Sequence, residues 1–106
     1  MKIELIYFEG CPNHQKAYEL LQQILREKNI DTVVERIEIK DDEDATRHKF
    51  VGSPTIRIDG TDVDVSSSNP PYGRTCRLYR VEEKLSAIPS RVMIESAVRS
   101  AANRSI

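Results

Sequence analysis

The chain has 106 residues, 39% of them hydrophobic and 31% charged, which suits one globular domain over residues 1–106. Its apolar residues fall in periodic runs, which argues against disorder, and no run approaches the roughly 18 residues that span a membrane. A formal net charge of −1 excludes a broadly basic nucleic-acid footprint.

Ile3-Glu4-Leu5-Ile6-Tyr7-Phe8 is β-branched, aromatic and nearly continuous in apolar character, which predicts a central strand buried on both faces. Gly10 ends it, and Pro12 stands where the first turn of a helix tolerates proline. Ala17, Leu20, Leu21, Ile24 and Leu25 then recur at helical spacing, and Asn29 with Ile30-Asp31 closes that helix. Val33 to Ile39 reads as a second strand with Val33, Glu35, Ile37 and Ile39 on one side. Asp41, Asp42, Glu43 and Asp44 suit the first turn of a second helix ending near Phe50.

Gly52-Ser53-Pro54 interrupts, Thr55 to Ile58 restarts as a third strand, and Asp59-Gly60 signals a hairpin. Its partner is expected over Thr61 to Val65. Residues 66–73 are rich in turn formers and read as loop. Cys76 to Val81 is open between a short strand and an irregular crossing. Ile88-Pro89-Ser90 introduces a last helix with Ile94, Ala97, Val98 and Ala101 on its apolar face. The expected order is β-α-β-α-β-β-loop-α, with the first two strands parallel.

Two cysteines, Cys11 and Cys76, are too few for a disulfide-rich scaffold. The start Met1-Lys2-Ile3-Glu4 lacks the apolar stretch of a secretory leader, so a reducing, cytoplasmic setting is the expectation. With Pro12 as the first helical residue, Cys11 becomes the helix cap. The exposed N–H groups and positive dipole end there favour a thiolate, the reactive form of cysteine. His14 lies three residues on, where an imidazolium would add to that effect or a neutral ring would carry a proton. From Arg74 onward seven bases face three acids, a net of +4 that leaves −5 on residues 1–73. Arg74 and Arg77 flank Cys76, so a cationic rim beside the thiols is expected.

The turn Glu9-Gly10-Cys11-Pro12-Asn13-His14, together with Gly52-Ser53-Pro54-Thr55, resembles the thioredoxin-like superfamily, and the likeness covers residues 1–65 and the last helix. The resemblance implies a thioredoxin-like α/β fold, a central mixed sheet flanked by helices, with a cis-proline loop before the third strand. It implies that Cys11 is the nucleophile and that Pro12, Ser53, Pro54 and Thr55 line the substrate site. A cis Pro54 would present the main chain of Ser53 as an edge for an extended thiol substrate. This chain departs from the full Cys-x-x-Cys redox motif, because His14 occupies the fourth position.

The hairpin at Asp59-Gly60 returns the chain toward the Cys11 end, which makes Cys76 the candidate resolving thiol. The function expected is thiol–disulfide exchange or thiol transfer with a protein or small-molecule partner, without cofactor, nucleic acid or membrane. The alternatives are a soft-metal module, in which Cys11 and Cys76 clamp mercury or copper(I), and a non-catalytic binding module.

Overall fold

Ile3, Leu5 and Ile6 are all fully buried, so the first strand lies in the middle of its sheet. The structure, a computed structural model, describes residues 1–64, 73–74 and 77–104. The sheet has four strands in the order β2-β1-β3-β4, namely β1 (Ile3–Tyr7), β2 (Val34–Glu38), β3 (Thr55–Ile58) and β4 (Thr61–Asp62). β1 pairs parallel with β2, Ile3 opposite Val34. It pairs antiparallel with β3, Ile3 opposite Ile58. The sheet is therefore mixed, as the element order predicted.

A parallel pair needs a crossover, and α1 (His14–Glu27) supplies it. Its stripe of Ala17, Leu21, Ile24 and Leu25 is buried. The helix ends where Asn29 takes a left-handed φ of 56°. The Asn29 and Ile30 amides then donate to the Arg26 and Leu25 carbonyls at 3.2 and 2.9 Å, a Schellman cap that satisfies carbonyls the helix leaves open. α2 (Asp42–Arg47) repeats the device. Asp41 caps its start by accepting from the Asp44 amide at 2.8 Å, and Lys49, at φ 52°, closes its end. That left-handed residue stops the helix short of the expected Phe50.

The last helix, α3 (Arg91–Arg104), starts on the Ser90 hydroxyl, which accepts from the Met93 amide at 3.1 Å. Ile94, Val98 and Ala101 pack with Ile3, Leu5, Leu21 and Leu25 in the larger core. On the opposite face of β1, Ile6 joins Ile39, Ala45 and Phe50 in a smaller core. Successive strand residues point to opposite faces, so β1 feeds both.

Two differences from expectation are local. Val33 is 87% exposed, so the second strand begins at Val34. β4 is only two residues long, and Val65, once expected to end it, lies outside the described residues. A third is larger: Tyr79–Val81 (β5) and Lys84–Ser86 (β6) form a separate antiparallel hairpin. Its turn places Glu82 and Glu83 at φ 51° and 69°, the pattern of a tight hairpin usually built from Asn and Gly. Among the described residues no helix is long and apolar enough to cross a membrane.

Candidate functional site

Between β1 and α1 the chain turns sharply. The Cys11 amide donates to the Phe8 carbonyl at 3.2 Å, which pulls the main chain out of the sheet before the helix can begin. The cap is consequently Asn13, and Pro12 sits in the turn. This corrects the expectation that Cys11 caps the helix. Cys11 stands two residues before that cap, at the N-terminal end of α1.

Cys11 is 0% exposed. Its Sγ donates to the Ser53 carbonyl at 3.6 Å, and the Asn13 Nδ2 approaches the sulfur at 3.7 Å. Asn13 is thus a neighbour that reaches the thiol. The His14 ring stacks on Tyr7 with centroids 4.3 Å apart, and its Nδ1 meets the Arg36 guanidinium at 3.2 Å. Arg36 also lies over the Tyr18 ring at 4.5 Å. The imidazole belongs to that cluster.

The second half of the site comes from the turn before β3. Ser53–Pro54 is a cis peptide bond, and Ser53, Pro54 and Thr55 are buried. The Ser53 carbonyl receives the Arg77 amide at 2.8 Å as well as the Cys11 thiol. The Ser53 hydroxyl, fully buried, has no hydrogen-bond partner among the described residues. Thr55 Oγ1 donates to the Gly52 carbonyl and accepts from Arg77 Nη1.

Arg77 is 5% exposed, which corrects the cationic-rim expectation for this residue. Its Nη1 is 2.7 Å from Asp62 Oδ2, and its Nη2 is 3.8 Å from Asp64 Oδ2. A buried cation must be paired, and the β3–β4 hairpin brings those two acids to it. The guanidinium lies 4.4 Å from the Tyr79 ring centroid, and the Tyr79 hydroxyl donates to the Pro54 carbonyl. Burial pushes the Tyr79 phenol well above its ordinary range, outweighing the nearby guanidinium that acts the other way. Arg74 is on the surface instead, bound to the Lys40 carbonyl at 3.0 Å and near Asp42.

The structure thus brings together Cys11, Ser53, Pro54, Thr55 and Arg77, sets His14 with Tyr7 and Arg36, and places Arg74 beside α2. Cys76 lies outside the described residues. Sequence reasoning gave no role to Asn13, Asp62, Asp64 or Tyr79. Asn13 was within reach as the polar residue after Pro12. The other three carry no local motif, and only the returning hairpin collects them around Arg77. A separate cavity of about 400 Å³ runs between α3 and the β3–β4 hairpin, lined by Ile58, Val63, Val92, Met93 and Ala97 with Asp62 at its side. Among the described residues no group of three or more His, Cys, Asp or Glu side chains is arranged to hold a metal ion. Comparison with family models, with curated proteins and with solved structures finds no match to this chain.

Proposed function

We propose that this chain is a thiol-based redox protein of the thioredoxin-like kind, with Cys11 as the sulfur that exchanges and Cys76 as the thiol that resolves it. The observation that carries this reading is the contact of Cys11 Sγ with the Ser53 carbonyl at 3.6 Å, across 42 residues of sequence and directly before the cis Pro54. The order of β1, α1, parallel β2, antiparallel β3 and β4, and a final helix supports the thioredoxin-like assignment. A second thiol is needed to release a mixed disulfide. Arg77, one peptide bond beyond Cys76, bonds to the same Ser53 carbonyl that Cys11 touches, which favours Cys76 for that part.

Cys11 is fully buried, so exchange proceeds by local opening, and the thiolate formed on opening is the nucleophile. The test is thiol titration with mass analysis after adding one equivalent of a small disulfide to the reduced protein. Both thiols should disappear together as a Cys11–Cys76 disulfide and return with reductant. Cys76→Ser should stop at a mixed disulfide on Cys11, and Cys11→Ser should not react in the folded state. A folded protein whose Cys11 stays unmodified refutes the proposal. Thiols lost only on adding copper(I) ion would refute it too, in favour of a metal clamp.

A further inference from the structure

An extended partner that docks along a short run of main chain does so by placing its own N–H groups on open carbonyls. The Ser53 carbonyl already accepts twice, from the Arg77 amide at 2.8 Å and from the Cys11 thiol at 3.6 Å. A carbonyl oxygen has two lone pairs; the Arg77 amide holds one throughout, and the Cys11 thiol holds the other until it loses its proton.

The segment that takes this edge is firmly held. Arg77 is buried and bonded to Asp62 and Thr55, and Tyr79 is bonded to the Pro54 carbonyl. Gly52 accommodates it closely: a Cβ there would lie 2.8 Å from the Arg77 Cβ and 3.1 Å from its Cα. A peptide taking the place of the Arg77 amide on the Ser53 carbonyl would have to displace a segment whose guanidinium lies 2.7 Å from Asp62.

We infer that residues 77–79 are a built-in occupant of the Ser53 edge, and that the sulfur partner of Cys11 is therefore a small disulfide or thiol, not an extended polypeptide. This rests on the thiol reading above. The residues beside Cys11 that are exposed are Gly10 and Pro12, so the small molecule approaches through that turn. In the exchange step Cys11 gives its proton to solvent and its thiolate attacks one sulfur of the small disulfide. The new S–S bond forms, the old one breaks, and the displaced sulfur leaves with the electron pair as a thiolate.

The experiment compares two substrates on the reduced full chain, oxidised 2-mercaptoethanol and the disulfide of a short unstructured cysteine peptide. The peptide disulfide should react no faster than the small one. Arg77→Ala should raise the peptide's relative rate by about tenfold, equivalent to about 1.4 kcal/mol. Asp62→Asn serves as the milder variant if Arg77→Ala does not fold, with a smaller rise in the same direction. Amide hydrogen exchange supplies a readout independent of reactivity. The Arg77 amide should be protected like those of β1, and excess peptide with serine in place of cysteine should leave it so. A wild-type preference for the peptide, or an Arg77 amide that exchanges freely or shifts with added peptide, overturns the inference. If neither disulfide reacts, the thiol reading falls and hydrogen exchange still decides the occupancy.

Discussion

Replacing Gly52 by alanine tests the packing on which the site depends. Gly52 has a φ of 149°, a conformation that L side chains rarely adopt. The added Cβ would meet the Arg77 Cβ at 2.8 Å, its Cα at 3.1 Å and its N at 3.3 Å. Two of the three are main-chain atoms, and the Arg77 amide is itself tied to Ser53 at 2.8 Å, so the neighbour cannot swing aside as a flexible side chain would. The backbone conformation alone costs about 1–3 kcal/mol, and forcing atoms into a packed site costs about 1–3 kcal/mol more. Gly60 is the control, since it has a positive φ of 82° but nothing within 4 Å of an added Cβ. Gly60→Ala should lose only the conformational part, about 1–2 kcal/mol. Urea unfolding of both variants should place Gly52→Ala below Gly60→Ala by about 1–3 kcal/mol. Equal losses would mean that Arg77 does not rest on Gly52, and the arrangement around Ser53 would have to be abandoned.

Other consequences can be checked separately. Ser53→Ala removes a buried hydroxyl without a partner among the described residues, and the main-chain contacts of residue 53 remain. Such an orphan costs about 1–3 kcal/mol, so the melting temperature should hold or rise; a clear fall would expose a bond to that hydroxyl. Tyr79 is held neutral by burial, so its contribution is present below the unfolded phenol value of about 10 and is lost as pH rises above it. Ultraviolet titration of the folded protein should leave one tyrosine un-ionised well above the unfolded phenol value, and Tyr79→Phe should abolish that late component. Glu82 and Glu83 sit at φ 51° and 69°. Replacing them by Asn-Gly should stabilise the hairpin by about 1 kcal/mol; a loss of stability on thermal unfolding would contradict the turn geometry.

The parts of the fold legible in the sequence are those governed by periodicity. The stripe from Ala17 to Leu25, the apolar run at Ile3 and the Asp59-Gly60 turn each announce their element through spacing or a turn residue. The start of α1 differs because Pro12 suits a first helical position, while the Cys11 amide bond to Phe8 delays the helix by two residues. A short strand ending at Val81 is one of the two readings the sequence leaves open, but its pairing with β6 is not legible, because the turn is made of two glutamates, which carry no turn signal. At the site, Gly52-Ser53-Pro54 and Cys11 were recognisable as short motifs, and the contact of Cys11 with Ser53 follows from the sheet order. The burial of Arg77 was not legible. An arginine in a basic tail reads as solvated until two acids from another hairpin are brought against it.

The two cores of this protein have a consequence for when the site can exist. Cys11 is positioned by α1, which is anchored in the larger core, whereas the segment leading into Ser53 departs from Phe50 in the smaller one. β1 is shared between them through Ile3 and Leu5 on one face and Ile6 on the other. A chain that has collapsed around only one core therefore holds half a site, a cysteine without its carbonyl or a carbonyl without its cysteine. The 42-residue loop between them must be closed before either half acquires chemical meaning, and closing such a loop carries an entropic cost that only the assembled sheet offsets. On the proposed thiol reading, sulfur chemistry during synthesis or partial unfolding would then follow the rules of an ordinary exposed thiol, and selectivity would arise only once both halves are joined.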